Sequence, residues 1–211
     1  MEKKFILFDF DGVIADSWAL AYDVAKTLHP PLRADQYRTL FEGNIYDGIK
    51  TLPGGMDPDE YFKLFEPRAK NETSIKPGIS DVVSGLAEQY TLIIVSSTSS
   101  GSIREFLDRH RLLHYFAWVM GKDVHASKVE KMRMIFEKYG IGAGDCIFIT
   151  DTLGDMREAK EHEMGVIGVS WGFHAHETLE KGIPFRIVDT PEELPDAVDD
   201  YFDRFERGDA L

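Results

Sequence analysis

Phe5-Ile6-Leu7-Phe8-Asp9-Phe10-Asp11-Gly12 decides the fold. Four consecutive apolar residues run straight into two aspartates and a glycine. A short run that is apolar at every position suits a strand covered on both faces, as in a parallel sheet with helices above and below. Carboxylates at i and i+2 point to the same side of an extended segment. At the mouth of a parallel sheet, where ligands bind, Asp9 and Asp11 therefore gather negative charge that is costly to bury without a cation. Carboxylates, backbone carbonyls and water are the natural shell of Mg²⁺.

Working outward, the same kind of run recurs at Leu92–Val95, Ala117–Met120, Ile147–Ile149 and Val166–Val169. Amphipathic helical patterns lie between these runs. Ser80–Gln89 places Val82, Val83, Leu86 and Ala87 on one face, and Gly101–Leu113 does so with Ile103, Phe106, Leu107 and Leu112. Ser127–Tyr139 uses Val129, Met132, Ile135 and Phe136 and stops at Gly140, a natural helix-ending residue. Strands alternating with helices predict a three-layer α/β fold with a Rossmann-like parallel sheet. Residues 17–76 break the rhythm. Their patterns are helical, at Trp18–Leu28, Ala34–Phe41 and Asp59–Ala69, with breaks at His29-Pro30-Pro31 and Pro53-Gly54-Gly55. A connection of that length is an inserted unit and not a loop. The expected division is a core of residues 1–16 and 77–211 carrying a small helical insertion, 17–76, after the first strand.

Composition narrows the function classes. The chain has 211 residues, 24 Lys plus Arg against 37 Asp plus Glu, and a formal net charge of −13. That excess of acid argues against nucleic-acid backbones and anionic membrane surfaces as partners. No apolar run approaches the length of a membrane span. The apolar run that follows the charged stretch Met1–Lys4 ends at Asp9, so it does not read as a signal peptide. The single cysteine, Cys146, excludes an internal disulfide framework and reads as a buried thiol. A cytoplasmic protein is the expectation; its oligomeric state is not encoded in any visible pattern.

Three more polar positions stand at the ends of later strands. Leu92–Val95 runs into Ser96-Ser97-Thr98, Lys128 opens the helix after the Ala117 strand, and Ile147-Phe148-Ile149-Thr150 runs into Asp151-Thr152-Leu153-Gly154-Asp155. In a parallel sheet all these ends share one edge, so carboxylates, a hydroxyl and an ammonium converge. Carboxylates hold a divalent cation; a hydroxyl and an ammonium hold an anion beside it. Together they describe a site for a phosphoryl group bridged to Mg²⁺.

In these four motifs, taken in order, the chain resembles the haloacid dehalogenase superfamily, and the likeness covers nearly all of it. Asp9-Phe10-Asp11-Gly12 matches the first motif, Ser96 the second, Lys128 the third, and Asp151 with Asp155 the fourth. Thr150 stands where the family usually has glycine, and Val129 where a proline usually follows the lysine. The insertion resembles the family's C1 cap, as in phosphoglycolate-phosphatase-like members. The resemblance implies a Mg²⁺-dependent phosphatase for a small phosphorylated metabolite, working through an aspartyl-phosphate. Asp9 is then the nucleophile and Asp11 the general acid and base. Asp9, the Asp11 carbonyl and Asp151 hold the metal; Ser96, Ser97 and Lys128 bind the phosphoryl group; and Asp155 positions Lys128 or a metal-bound water. A phosphomutase or a haloacid dehalogenase are the alternatives within the superfamily, and a phospho-receiver switch is the alternative outside it. Asp11 speaks against dehalogenation, since halide departure needs no proton. The inserted helices speak against a receiver.

Phe41-Glu42-Gly43-Asn44 interrupts two helical patterns, and Gly43 and Asn44 are the candidates for substrate contact from the insertion. Trp171-Gly172-Phe173 is a candidate rim of the site. His174 and His176 are expected to be exposed polar residues opening a helix, in preference to metal ligands. Asp16 or Ser17 is a candidate N-cap for the first inserted helix.

Overall fold

A computed structural model describes residues 3–52 and 54–207. Met1 and the break at Pro53 lie outside the described residues. Among those described, one sheet has six strands: β1 (Phe5–Phe8), β4 (Thr91–Val95), β5 (Phe116–Met120), β6 (Cys146–Thr150), β7 (Gly165–Val169) and β8 (Arg186–Val188). Their spatial order is β5-β4-β1-β6-β7-β8, and every pairing is parallel. β1 is central, as its uninterrupted apolar run predicted. Phe5 pairs with Thr91 on one side and with Cys146 on the other.

The pleat explains why β1 must be apolar throughout. Ile6 and Phe8 face a layer made by α5 (Ile79–Leu86), α6 (Ser100–Arg109) and α10 (Leu194–Arg207). Phe5 and Leu7 face the opposite layer, made by α7 (Lys128–Tyr139), α8 (Leu153–Lys160) and α9 (His176–Glu180). All four side chains are essentially inaccessible, so each contributes about 1.5–3 kcal/mol of burial. The expected three-layer α/β architecture is what the chain forms. α7 does end at Gly140, at a φ of 67°.

The inserted segment contains α1 (Trp18–Leu28), α2 (Ala34–Thr39), α3 (Ile45–Lys50) and α4 (Pro58–Glu72), with a short 3₁₀ turn at Leu40–Glu42. These helices bury their own apolar cluster, including Ala21, Val24, Tyr37, Ile49, Phe62 and Phe65. Phe173, from the loop after β7, joins that cluster. The chain enters the insertion through β2 (Ala15–Asp16) and leaves it through β3 (Ser74–Ile75), which pair antiparallel as a two-stranded ribbon. Lys76 straps the ribbon, donating to Asp16 Oδ1 at 2.8 Å and to the Trp171 carbonyl at 2.9 Å.

Several local expectations differ in detail. α6 stops at Arg109, and a separate 3₁₀ turn at Leu113–Tyr115 leads into β5. Ser17 precedes α1 but makes no capping bond, and Asp16 is engaged by Lys76. Cys146 is buried within β6, where burial pushes its thiol up to about 12. No helix among the described residues is long and apolar enough to cross a membrane.

Candidate active site

Because the sheet is parallel, the loops after β1, β4 and β6 meet at one edge, beneath α1, α3 and α4. They enclose a cavity of about 60 Å³ with the insertion. Asp9, Asp11, Ser96, Ser97, Lys128 and Asp155 all line it, as do Gly43 and Asn44 from the insertion. Asp151 does not; it is fully buried behind the cavity wall.

Asp9 continues the β1 ladder, its N–H donating to the Ile149 carbonyl at 2.9 Å. Its carboxylate accepts from the Phe10 N–H at 2.7 Å and lies 3.0 Å from Lys128 Nζ. Lys128 reaches it from the first turn of α7, which Ser127 caps by accepting from the Glu130 N–H. The same ammonium donates to Asp155 Oδ2 at 2.6 Å. Thr150 donates to the same oxygen at 2.7 Å. Asp11 points its Oδ2 at the Thr98 hydroxyl, which donates at 2.6 Å. Ser96 Oγ accepts from the Thr98 N–H at 3.1 Å, which folds the loop after β4 around Asp11.

Charge is out of balance here. Burial raises Asp9 well above the ordinary carboxylate range against the pull of Lys128, and the Asp155 and Asp151 carboxylates raise it further. Burial likewise lifts Asp11, opposed by the Thr98 hydroxyl. Asp155 is held low: burial would raise it, but Lys128 and the Thr150 hydroxyl outweigh that cost. Burial opposes the Lys128 ammonium, yet Asp155 and Asp9 keep it charged. Burial lifts Asp151 to about 7.

Whether these residues suit a cation can be judged from the donor set. No three His, Cys, Asp or Glu side chains converge as a ready metal cage among the described residues. However, Asp151 has one carboxylate oxygen bonded to the Phe173 N–H at 2.6 Å, and its other oxygen is buried with no hydrogen-bond partner. An orphaned buried carboxylate oxygen is costly. Three carboxylates around one ammonium leave excess negative charge. Two carboxylates and a backbone carbonyl are the hard oxygen donors that Mg²⁺ takes. The residues present therefore fit a divalent cation.

Some lining residues carry no motif signal. Thr98 was visible only as part of the loop after Ser96. Glu158 lies one turn beyond Asp155 on α8, a spacing that shares a helix face. It accepts from Asn44 Nδ2 at 3.2 Å and from the Lys128 N–H at 3.3 Å. Phe41, Tyr61, Phe62, Phe65 and Phe173, with Ala21, Ile45 and Thr152, form the remaining wall. Phe173 thus lies at the rim, while the Trp171 indole N–H donates to the Val13 carbonyl at 3.2 Å. Arg68 faces Asp23 and Glu72. The expectation that His174 is exposed is wrong. It is buried, accepting from the Leu153 N–H at 3.0 Å and lying 2.9 Å from the Arg38 carbonyl. Those partners tie the insertion to α8, and they occupy both ring nitrogens.

Residues 6–169 match the haloacid dehalogenase-like hydrolase family. The chain belongs to that family. A phosphoglycolate phosphatase of Synechococcus elongatus is 24% identical to this hydrolase over 92% of the chain and 96% of the relative. A Dickeya dadantii protein named Probable phosphatase IndB is 33% identical, but that match spans 54% of the chain and 52% of IndB, about half of each. A solved haloacid dehalogenase-like hydrolase from Streptococcus pneumoniae superposes with a TM-score of 0.79 at 20% identity, covering 93% of this chain and 98% of that one. This last likeness is one of fold.

Proposed function

We propose that this hydrolase is a Mg²⁺-dependent phosphatase of a small phosphorylated metabolite, with residues 17–76 as its cap and residues 1–16 and 77–211 as its catalytic core. One observation carries the reading: Lys128 bridges Asp9, at 3.0 Å, and Asp155, at 2.6 Å, beside an Asp11 held apart on Thr98. Two neighbouring carboxylates in different environments divide the labour of nucleophile and acid.

Asp9 attacks phosphorus, the ester P–O bond breaks, and the Asp11 carboxylic acid gives its proton to the departing alkoxide. In the second half Asp11 takes a proton from water. The water oxygen bonds to phosphorus, the Asp9–phosphorus link breaks, and the carboxylate is restored. Burial raises both aspartates; the Lys128 ammonium 3.0 Å away, with the positive charge of a bound cation, would favour the ionised Asp9 that attacks, while Asp11 keeps the proton the first half requires. Lys128 and the Ser96–Ser97 loop hold the phosphoryl oxygens, and Asp155 fixes the ammonium. Asp9, the Asp11 carbonyl and Asp151 would hold Mg²⁺, which supplies positive charge between nucleophile and phosphate. The small cavity and the phosphatase names of the relatives support a small ester.

The two aspartates should fail differently. With p-nitrophenyl phosphate, whose leaving group needs little protonation, Asp11→Asn should accumulate a phosphoenzyme, seen as an added phosphoryl group in acid-quenched mass spectra. Asp9→Asn should show none. Equal labelling of both variants means the nucleophile is elsewhere.

A further inference from the structure

We infer that the alcohol released by this enzyme carries no negative charge, an inference that rests on the phosphatase reading above. The part of the cavity beyond the phosphoryl site is walled by Ala21, Phe41, Ile45, Tyr61, Phe62 and Phe65 from the insertion. Tyr61 presents its ring, because its hydroxyl is engaged with Tyr37 at 2.8 Å. Three polar side chains interrupt this apolar wall near α8: Asn44, Glu158 and Thr152, whose hydroxyl caps α8 by accepting from the Asp155 N–H. Among the described residues that line the cavity, Lys128 is the only cation, and it is held between Asp9 and Asp155.

Three cations near the seam are turned to different partners, and Lys63 and Lys70 line a neighbouring cavity on the far side of Phe62 and Phe65. Arg38 donates to the Phe173 carbonyl at 2.8 Å and lies 4.0 Å over the Trp18 ring. Lys122 pairs with Glu66 at 2.8 Å, and Arg157 donates to the Glu42 carbonyl. A carboxylate on the leaving group would lose its water against aromatic rings and face Glu158, with no ammonium or guanidinium lining that part of the cavity to receive it; Lys122, 4.0 Å over the outer side of the Phe62 wall, is already paired with Glu66. Burying an unpaired charge beside a like charge is among the most costly arrangements available. An uncharged hydroxyl fits: its O–H can donate to Glu158 while its carbon body packs on Phe62 and Phe65. The phosphoglycolate in the name of the Synechococcus elongatus relative is the kind of substrate this wall excludes.

The test uses a pair that differs in this group alone, phosphoglycolate and 2-hydroxyethyl phosphate, each competing with p-nitrophenyl phosphate on the wild-type enzyme in Mg²⁺. The neutral ester should inhibit at a concentration about tenfold lower, or better, because like-charge juxtaposition suppresses the wrong partner. Glu158→Gln keeps the hydrogen bonds and removes the charge, so it should bring the two inhibition constants to within about threefold. Equal or tighter binding of phosphoglycolate overturns the inference, as does failure of the neutral ester to compete. A ratio unchanged in Glu158→Gln overturns the role given to Glu158. No turnover of p-nitrophenyl phosphate by the wild-type enzyme would strike the phosphatase reading itself.

Discussion

Gly154→Ala tests whether the insertion works in the docked position described here. Gly154 is the second residue of α8, and a Cβ there would lie 2.8 Å from both the Phe41 carbonyl oxygen and the Gly43 carbonyl carbon, closer still to the Gly43 oxygen. These are backbone atoms, which cannot swing aside as a side-chain end can. Overpacking of this kind costs about 1–3 kcal/mol, and it is felt only while the loop at 41–43 rests on α8. A penalty of about 2 kcal/mol lowers the docked population roughly thirtyfold. The better helix propensity of alanine, about 1 kcal/mol, applies whether or not the insertion is docked, so it affects melting but not docking. KM is therefore the readout. With p-nitrophenyl phosphate it should rise about tenfold or more if substrate must draw the loop closed, while kcat at saturation changes less. Gly85→Ala, on the exposed face of α5 with no atom near its Cβ, is the control and should leave both constants alone. A wild-type KM for Gly154→Ala would refute the docked loop as the working arrangement.

Mg²⁺ should raise the melting temperature of the wild-type protein, with about 2.7 kcal/mol of stabilisation at a hundredfold excess over Kd. Asp151→Asn should lose that response, and an undiminished rise would remove Asp151 from the metal site. Lys131, buried against the Ser96 carbonyl, is lowered to about 7 by burial and by Lys128. The unfolded chain then binds the extra proton between pH 7 and 10, so this group's cost is full below pH 7 and disappears as pH rises, a gain of up to about 4 kcal/mol. Lys131→Met should lack this rise in denaturant titrations at pH 7 and pH 9.5; parallel curves for the two proteins would contradict it.

What the sequence disclosed, and what it hid, follows from distance along the chain. β1, β4, β5, β6 and β7 are each a continuous apolar run, so they were legible. β8 was not, because Arg186–Val188 is only three residues, begins with a charge and is half-covered. β2 and β3 are two residues each and exist only because they pair. Ile45–Lys50 hides a helix behind Gly48 and a length of six residues. In the site, Asp9, Asp11, Ser96, Lys128 and Asp155 were readable since each stands within a few residues of a strand end or helix start. The aromatic wall was not, because nothing local marks Phe62 or Phe65 as facing Asp9 and not solvent. His174 illustrates the same limit: its partners, Leu153 and Arg38, are 21 and 136 residues away.

The ribbon of β2 and β3 has an evolutionary consequence. Ala15 lies opposite Ile75 and Asp16 opposite Ser74, so the segment between them begins and ends at neighbouring points. To the sheet, that whole segment is a loop whose ends already touch, and the entropy of closing such a loop grows only slowly with its length. Helices can be lengthened, recombined or exchanged beyond this junction with little demand on the strands that carry the aspartates. Chemistry and recognition can thus diversify at different rates, the first constrained by the sheet edge and the second by what fills the space above it and by the few contacts, such as those of Asn44 and Arg38, that seat the insertion on the core.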